Sequence, residues 1–148
     1  MTNYGQNRKA HFNYEILQQY EAGVVLRGFE TKAVRAGKTS LEGAYVVIRG
    51  GEAFLLGASI SPYQASNMPK KYEPEETRKL LLKKKELAEL EKASESQGLT
   101  IVPLKWYNSR RRVKLHIALA RGKKKTDKRE RIKDRDNKRE IDRILKNQ

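Results

Sequence analysis

The 148-residue chain contains no cysteine. Disulfide staples, thiolate nucleophiles and Cys-ligated zinc are therefore excluded, and the composition fits a reducing, cytoplasmic compartment. Histidine occurs only as His11 and His116, too far apart in sequence to form a ligand-spaced pair. No Gly-rich phosphate loop is present. No metal or cofactor is expected. Ser, His and Asp occur, but nothing marks a nucleophile, so no residue is assigned a catalytic role and the chain reads as a non-enzyme. Long apolar runs are missing too. "AFLLGASI" and "LHIALA" are strand-sized, far short of the ~20 residues of a membrane helix. The opening "MTNYGQNRKAHFNYE" lacks the apolar core of a secretory signal.

What the chain has in excess is positive charge, a net +15. From Arg121 onward there are 13 Lys and Arg against 6 Asp and Glu, a net +7, which leaves +8 on the body. Such a balance points first to nucleic acid, where cations neutralise phosphates and release counterions. The composition divides the chain into a body, 1–121, large enough to bury a core, and a polar tail, 122–148.

The body reads as mainly β. In "YEILQQYEAGVVL", Tyr14, Ile16, Tyr20, Ala22, Val24 and Leu26 alternate with polar residues and are expected on one face. Gly28 breaks that strand, Gly37 suits a helix C-cap, and residues 30–36 fit two helical turns with Lys32 and Arg35 on one side. "AYVVIRGGEAFLLG" is a hairpin turning at Gly50 and Gly51. "SPYQASNMPKKYEPEE" is loop. A helix is expected from Pro74 to about Gln97, striped by Leu80, Leu87 and Leu90 and interrupted by Lys83, Lys84 and Lys85. "LTIVPLKWY" and "VKLHIALA" are strands joined around Asn108 and Ser109, with Val113, Leu115, Ile117 and Leu119 inward and Lys114 and His116 outward. Closure removes exposed sheet edges, so an antiparallel barrel of the oligonucleotide-binding type with flanking helices satisfies this pattern best.

Several basic groups sit on separate elements. Lys32, Arg35 and Lys38 cluster on the short helix and its exit. Arg78 and Lys79, Lys83 to Lys85, and Arg110 to Arg112 follow. A charge run is ordinarily a solvated face, but this many on one small barrel favours a phosphate-binding surface. Asn7, Arg8 and Lys9 form either a basic arm or an ordinary solvated terminus. Glu21 is either a surface carboxylate or an acceptor for a base edge or ribose hydroxyl. Trp106 and Tyr107 point to opposite faces, so at most one is expected free to stack on a base.

Taken in order, "NRKA", "YEAGVVLRGFETKAVRAGK", "ISPY", "TRKLLLKKKEL", "GLTIVPLKWY" and "KLHIALARGKKKTDKR" resemble the SsrA-binding protein family, the small-protein-B partners of transfer-messenger RNA in trans-translation. The resemblance runs from about Asn7 to Lys146. It implies binding to the tRNA-like domain of that RNA and delivery, with elongation factor Tu, to ribosomes stalled on messages lacking a stop codon. It implies RNA contacts at Asn7, Glu21 and Leu81 and a basic surface at Lys32, Arg35 and Lys38. In the tail it implies a hinge at Gly122, a ribosome-binding stretch through Lys123, Lys124, Lys125, Asp127, Lys128 and Arg129, and an apolar pair, Ile144 and Leu145. Where several relatives carry His or Tyr before "DKR", this chain has Thr126.

The resemblance also gives the tail a reason to exist. A segment this polar cannot offset its ordering entropy alone. The implied partner is the empty message channel of the small ribosomal subunit, lined by RNA that attracts the tail's charge. Asp127 with Arg131, Asp134 with Lys138 and Asp142 with Lys146 have helix-favouring spacing. A helix formed on the partner is therefore expected from about Lys128. A generic basic RNA-binding barrel and a DNA-binding protein are the competing readings.

Overall fold

The computed structural model describes residues 2–61 and 72–123. Lys124, Lys125, Thr126, Asp127, Lys128, Arg129, Ile144 and Leu145, with the expected tail helix, lie outside them.

Three long strands form the frame. β2 (Tyr14–Val24), β8 (Leu99–Ser109) and β9 (Arg112–Gly122) each have 11 residues. β9 pairs antiparallel with β8 over residues 112–121 and with β2 over residues 114–122. β4 (Tyr45–Arg49), β5 (Glu52–Leu56) and β7 (Arg78–Leu81) complete a ring in the order β8, β4, β5, β7, β2, β9 and back to β8. The seam between β4 and β8 is thin, with Val46 opposite Ile101 as its one register pair. β1 (Asn3–Gln6) lies on β8 outside the ring, and β3 (Thr39–Ser40) pairs with β6 (Ser59–Ile60) in a separate ribbon. The barrel expected from the alternation is present.

Inside it lie Tyr20, Ala22, Val46, Leu55, Leu80, Ile101, Trp106, Leu115 and Ile117. Burying each larger aliphatic side chain contributes about 1.5–3 kcal/mol. Two helices plug the ring. α2 (Gly28–Arg35) inserts Ala33 and Val34, and α3 (Lys84–Ser94) inserts Leu90. α2 ends where expected, with Gly37 at φ +76°, a conformation glycine adopts without strain. The hairpin at Gly50 and Gly51 also forms as expected, both glycines at positive φ between paired Arg49 and Glu52.

Two bulges change which residues face inward. Leu17 is an extra residue in β2, so Ile16 opposes Ala120 while Gln18 opposes Leu119. A one-residue insertion flips the face of everything beyond it. Tyr14 and Ile16 therefore do not share the face of Tyr20 and Ala22. They pack outside the barrel on a second cluster of Ala10, Val102, Leu104, Ala118 and Ala120. A register shift between Pro103 and Lys105 does the same to β8, putting Ile101 and Trp106 inside despite their unlike parity.

The expected helix over 74–97 is corrected. Pro74 lies in a loop, residues 78–81 are β7, and α3 begins only at Lys84. Leu80 is a strand residue of the ring, while Leu87 and Leu90 belong to the helix. The Lys83 amide donates to Glu86 Oε1 (3.1 Å), a cap that starts α3 inside the lysine run. "NRKA" is neither an arm nor a loose terminus. Asn7 caps α1 (Arg8–Asn13), a third helix that covers the outer cluster.

Candidate nucleic-acid interface

The turn joining β8 to β9 falls at Arg110 and Arg111, not at Asn108 and Ser109, because Ser109 still pairs with Arg112. Both arginines have positive φ, 51° and 67°. A two-residue hairpin loop of this hand matches the strand twist and ordinarily takes Asn-Gly. Here two bulky cations occupy it at a steric cost.

Beside this turn a groove of about 890 Å³ runs over the outer surface of β7, β2 and β9. Its floor is a row across three strands. Leu81 pairs with Gly23, and Gly23 with Lys114. A Cβ at Gly23 would stand 3.3 Å from Leu81 Cβ, so the glycine keeps the floor open. Lys83, Arg110, Arg112 and Lys114 line the groove, and none of them joins a salt bridge among the described residues. A second groove of about 260 Å³ shares Gly23, Leu81, Arg112 and Lys114 and adds Arg35 and Arg111. Arg35 Nη2 donates to the Arg111 carbonyl (3.1 Å), tying α2 to the turn. Together the grooves form one cationic trough.

Two features of the trough are not cationic. Leu81 is 54% exposed, an apolar plate among charges. The carboxylates lining the larger groove are Glu21 and Glu86, and Glu86 is engaged in capping α3. Glu21 lies opposite His116, which lies opposite Lys105 on β8. Tyr107 packs edge-on against His116, ring centroids 5.8 Å apart. Burial, then the nearby Glu21 carboxylate, pushes the Tyr107 hydroxyl well above the usual tyrosine range. Burial and the Lys105 charge push His116 below the usual imidazole value, with Glu21 opposing.

The site residues expected from the sequence divide among several places. Glu21, Leu81 and Arg35 meet in the trough. Lys32 and Lys38 are exposed on α2 and its exit. Lys79 is exposed and paired with Glu52 (3.1 Å). Arg8 and Lys9 line a separate groove of about 290 Å³ near β1 that shares no residue with the trough, and Lys9 pairs with Glu42 there.

Two of the expected site residues have interior side chains. Arg78 is buried, its guanidinium held by Glu30 and by the carbonyls of Ala58, Glu76 and Pro74. Asn7 is buried, donating to the carbonyls of Leu41 (3.2 Å) and Pro103 (2.9 Å) and accepting from Ala10. Both lock the fold. Neither Trp106 nor Tyr107 is free to stack on a base, since both are buried. Gly122 is the last residue of β9, opposite Tyr14, and the Lys123 amide donates to the Asn13 carbonyl (2.9 Å).

Lys83 and Arg110 to Arg112 were among the basic groups expected to form a phosphate-binding surface, and they line the trough. Lys114 was not among them, and its outward parity was the available signal. Among the described residues no three His, Asp or Glu side chains cluster as metal ligands. No helix of the described residues is long and apolar enough to cross a membrane.

A ring of antiparallel strands bearing a trough of unpaired cations defines a class, the nucleic-acid-binding β-barrels. The chain belongs to the SmpB protein family, whose model matches residues 4–147. It is 51% identical over 140 residues to the SsrA-binding protein of Nostoc punctiforme, covering 95% of this chain and 90% of that one. The SsrA-binding protein of Cupriavidus taiwanensis is also 51% identical over 140 residues, covering 95% and 94%. Among solved structures, a chain from work on tmRNA–SmpB at the centre of the bacterial ribosome superposes with a TM-score of 0.69. It is 43% identical, and the match covers 84% of this chain and 87% of that one.

Proposed function

We propose that this protein binds the tRNA-like domain of transfer-messenger RNA through the trough and brings that RNA to stalled ribosomes for trans-translation. The observation that carries the reading is the row of unpaired cations around Leu81 and Glu21. Lys83, Arg110, Arg112 and Lys114 neutralise phosphates. Leu81 offers an apolar surface to a base or sugar. Glu21 accepts hydrogen bonds from a base edge or ribose hydroxyl, which a purely electrostatic clamp has no use for. Membership of the SmpB family and the relatives' name, SsrA-binding protein, support the choice of RNA. The tail, 122–148, reaches into the message channel and reports whether message is present, since an occupied channel excludes it.

The test is equilibrium binding of the full chain to tRNA-like RNA and to duplex DNA of equal charge across a salt series. The RNA wins the competition. Arg112→Ala with Lys114→Ala makes the salt dependence shallower, by roughly 0.7–0.9 in log–log slope for each phosphate no longer neutralised. Glu21→Ala removes a negative charge yet weakens binding to the tRNA-like RNA. Equal or tighter binding by Glu21→Ala, or a preference for the duplex DNA, overturns the reading.

A further inference from the structure

We propose that the RNA interface does not end at the trough but continues across β9 and β8 to β1, with Lys105 as its outlying phosphate contact and Gln6 beside it. The proposal rests on the RNA-binding reading of the trough and adds two residues that line neither of its grooves. The strand pairings carry it. Gly23 of the trough floor lies opposite Lys114, Lys114 opposite Tyr107, and Tyr107 opposite Asn3. In the row two residues along, Glu21 lies opposite His116, His116 opposite Lys105, and Lys105 opposite Gln6. Residues two apart on a strand share a face. Both rows therefore lie on the outer surface that bears the trough, while Trp106 and Leu115 between them point into the barrel. From Glu21 to Gln6 there are three strand spacings, roughly 14 Å. The floor of the trough is thus continuous with a strip that ends on the edge strand β1.

Charge and exposure on that strip fit an RNA backbone. Lys105 is half-buried, yet it joins no salt bridge among the described residues. Taking an ammonium partly out of water without a carboxylate partner has a desolvation cost, which a phosphate offsets. The ammonium stands over the Tyr107 ring, 5.8 Å from the centroid, and so beside the row of Lys114. Glu21, the carboxylate of its own row, is two strands away with His116 between. Burial first, and then Lys105, hold His116 below the usual imidazole value. At neutral pH that ring is an uncharged hydrogen-bonding group, and Lys105 is the cation of its row. Gln6 is exposed at the far end, with a side-chain amide that both donates and accepts. The chemistry that fits is a phosphate on Lys105, with ribose or phosphate oxygens at His116 and Gln6.

In the full chain, Lys105→Met keeps an unbranched apolar stem against Tyr107 and removes the charge. Binding to tRNA-like RNA is expected to weaken, with a log–log salt slope shallower by roughly 0.7–0.9. The loss relative to the parent is then expected to shrink about five- to eightfold over a tenfold rise in salt. Lys92→Met removes an equal charge from an exposed position of α3 and is expected to leave the slope at the parent value. An equal change of slope in Lys92→Met overturns the local contact in favour of the general field of the protein. Parent-like binding by Lys105→Met, while Arg112→Ala with Lys114→Ala lowers affinity and slope, overturns the extension and leaves the trough reading standing. Parent-like binding by both variants overturns both readings. A second measurement leaves Lys105 in place. Photoreactive benzoylphenylalanine replacing Gln6 is expected to crosslink to bound tRNA-like RNA, and the same group replacing Glu91, exposed on α3, is not. A yield at Gln6 no greater than at Glu91 overturns the extension.

Discussion

Arg78 Nη2 stands 2.9 Å from Glu30 Oε2, and both side chains are only 2% exposed. The pair joins β7 to α2, so the strand that closes the ring is tied to the helix that plugs it. Tyr72 donates to the same Glu30 oxygen (3.0 Å), and burial together with that carboxylate pushes its hydroxyl up to about 12. Removing one partner leaves an uncompensated buried charge. Arg78→Ala or Glu30→Ala is expected to destabilise the barrel by about 3–5 kcal/mol in urea unfolding. Replacing both, as Arg78→Met with Glu30→Leu, is expected to recover most of that loss. A double variant as unstable as the worse single one would contradict the pairing argument.

The hairpin turn at Arg110 and Arg111 trades stability for charge placement. Arg110→Asn with Arg111→Gly supplies residues suited to positive φ. It is expected to raise stability by roughly 1–2 kcal/mol while weakening RNA binding, because one cation leaves each groove. Melting temperature and RNA affinity measured on the same variant check this. Both moving in the same direction would show that the turn is not strained for function.

His116 predicts an acid-side loss of stability. Its folded-state pKa lies below the unfolded value, through burial first and Lys105 second, while Glu21 opposes and Tyr107 packs alongside. As pH falls through about 6.5 the unfolded chain takes up a proton that the folded chain resists. Stability is thus fully present above that value and declines below it, toward the folded pKa. Urea midpoints at pH 7.5 and 5.5 are expected to differ less in His116→Gln than in the parent. An unchanged difference would remove His116 as the cause.

The tail is expected to act apart from RNA binding by the barrel. A chain ending at Lys123 keeps β9 whole and should retain its affinity for tRNA-like RNA within tenfold, about 1.4 kcal/mol. Changing Ile144 and Leu145 both to Asp should leave that affinity intact and abolish tagging on stalled ribosomes. Normal tagging by the double variant would show that the apolar pair has no role.

Local features of the sequence were readable and long-range ones were not. The Gly50 and Gly51 turn, the Gly37 cap and the alternation from Val113 to Leu119 each declare themselves within a few residues, and each is present. β7 was hidden because Leu80, Leu87 and Leu90 also suit a helix face. What makes residues 78–81 a strand is pairing with Ala53, Phe54 and Leu55 and with Gly23 and Val24. The bulge at Leu17 has no local mark either. Of the trough, Glu21 and Leu81 came from family resemblance. The interior place of Arg78 was not legible because its partner, Glu30, is 48 residues away. Charge counts do not distinguish a cation held in the interior from one left for a ligand.

The geometry of β9 has a mechanical consequence. Arg112 opens the strand at the cationic trough, and Gly122 closes it beside Asn13. Ten residue steps at about 3.3 Å place these two ends roughly 33 Å apart. Neighbouring strands brace β9 on both sides from Lys114 to Arg121. The barrel is therefore a rigid spacer of fixed length. Whatever binds at the trough is held a set distance from the far end of the strand, with no need for the two to touch.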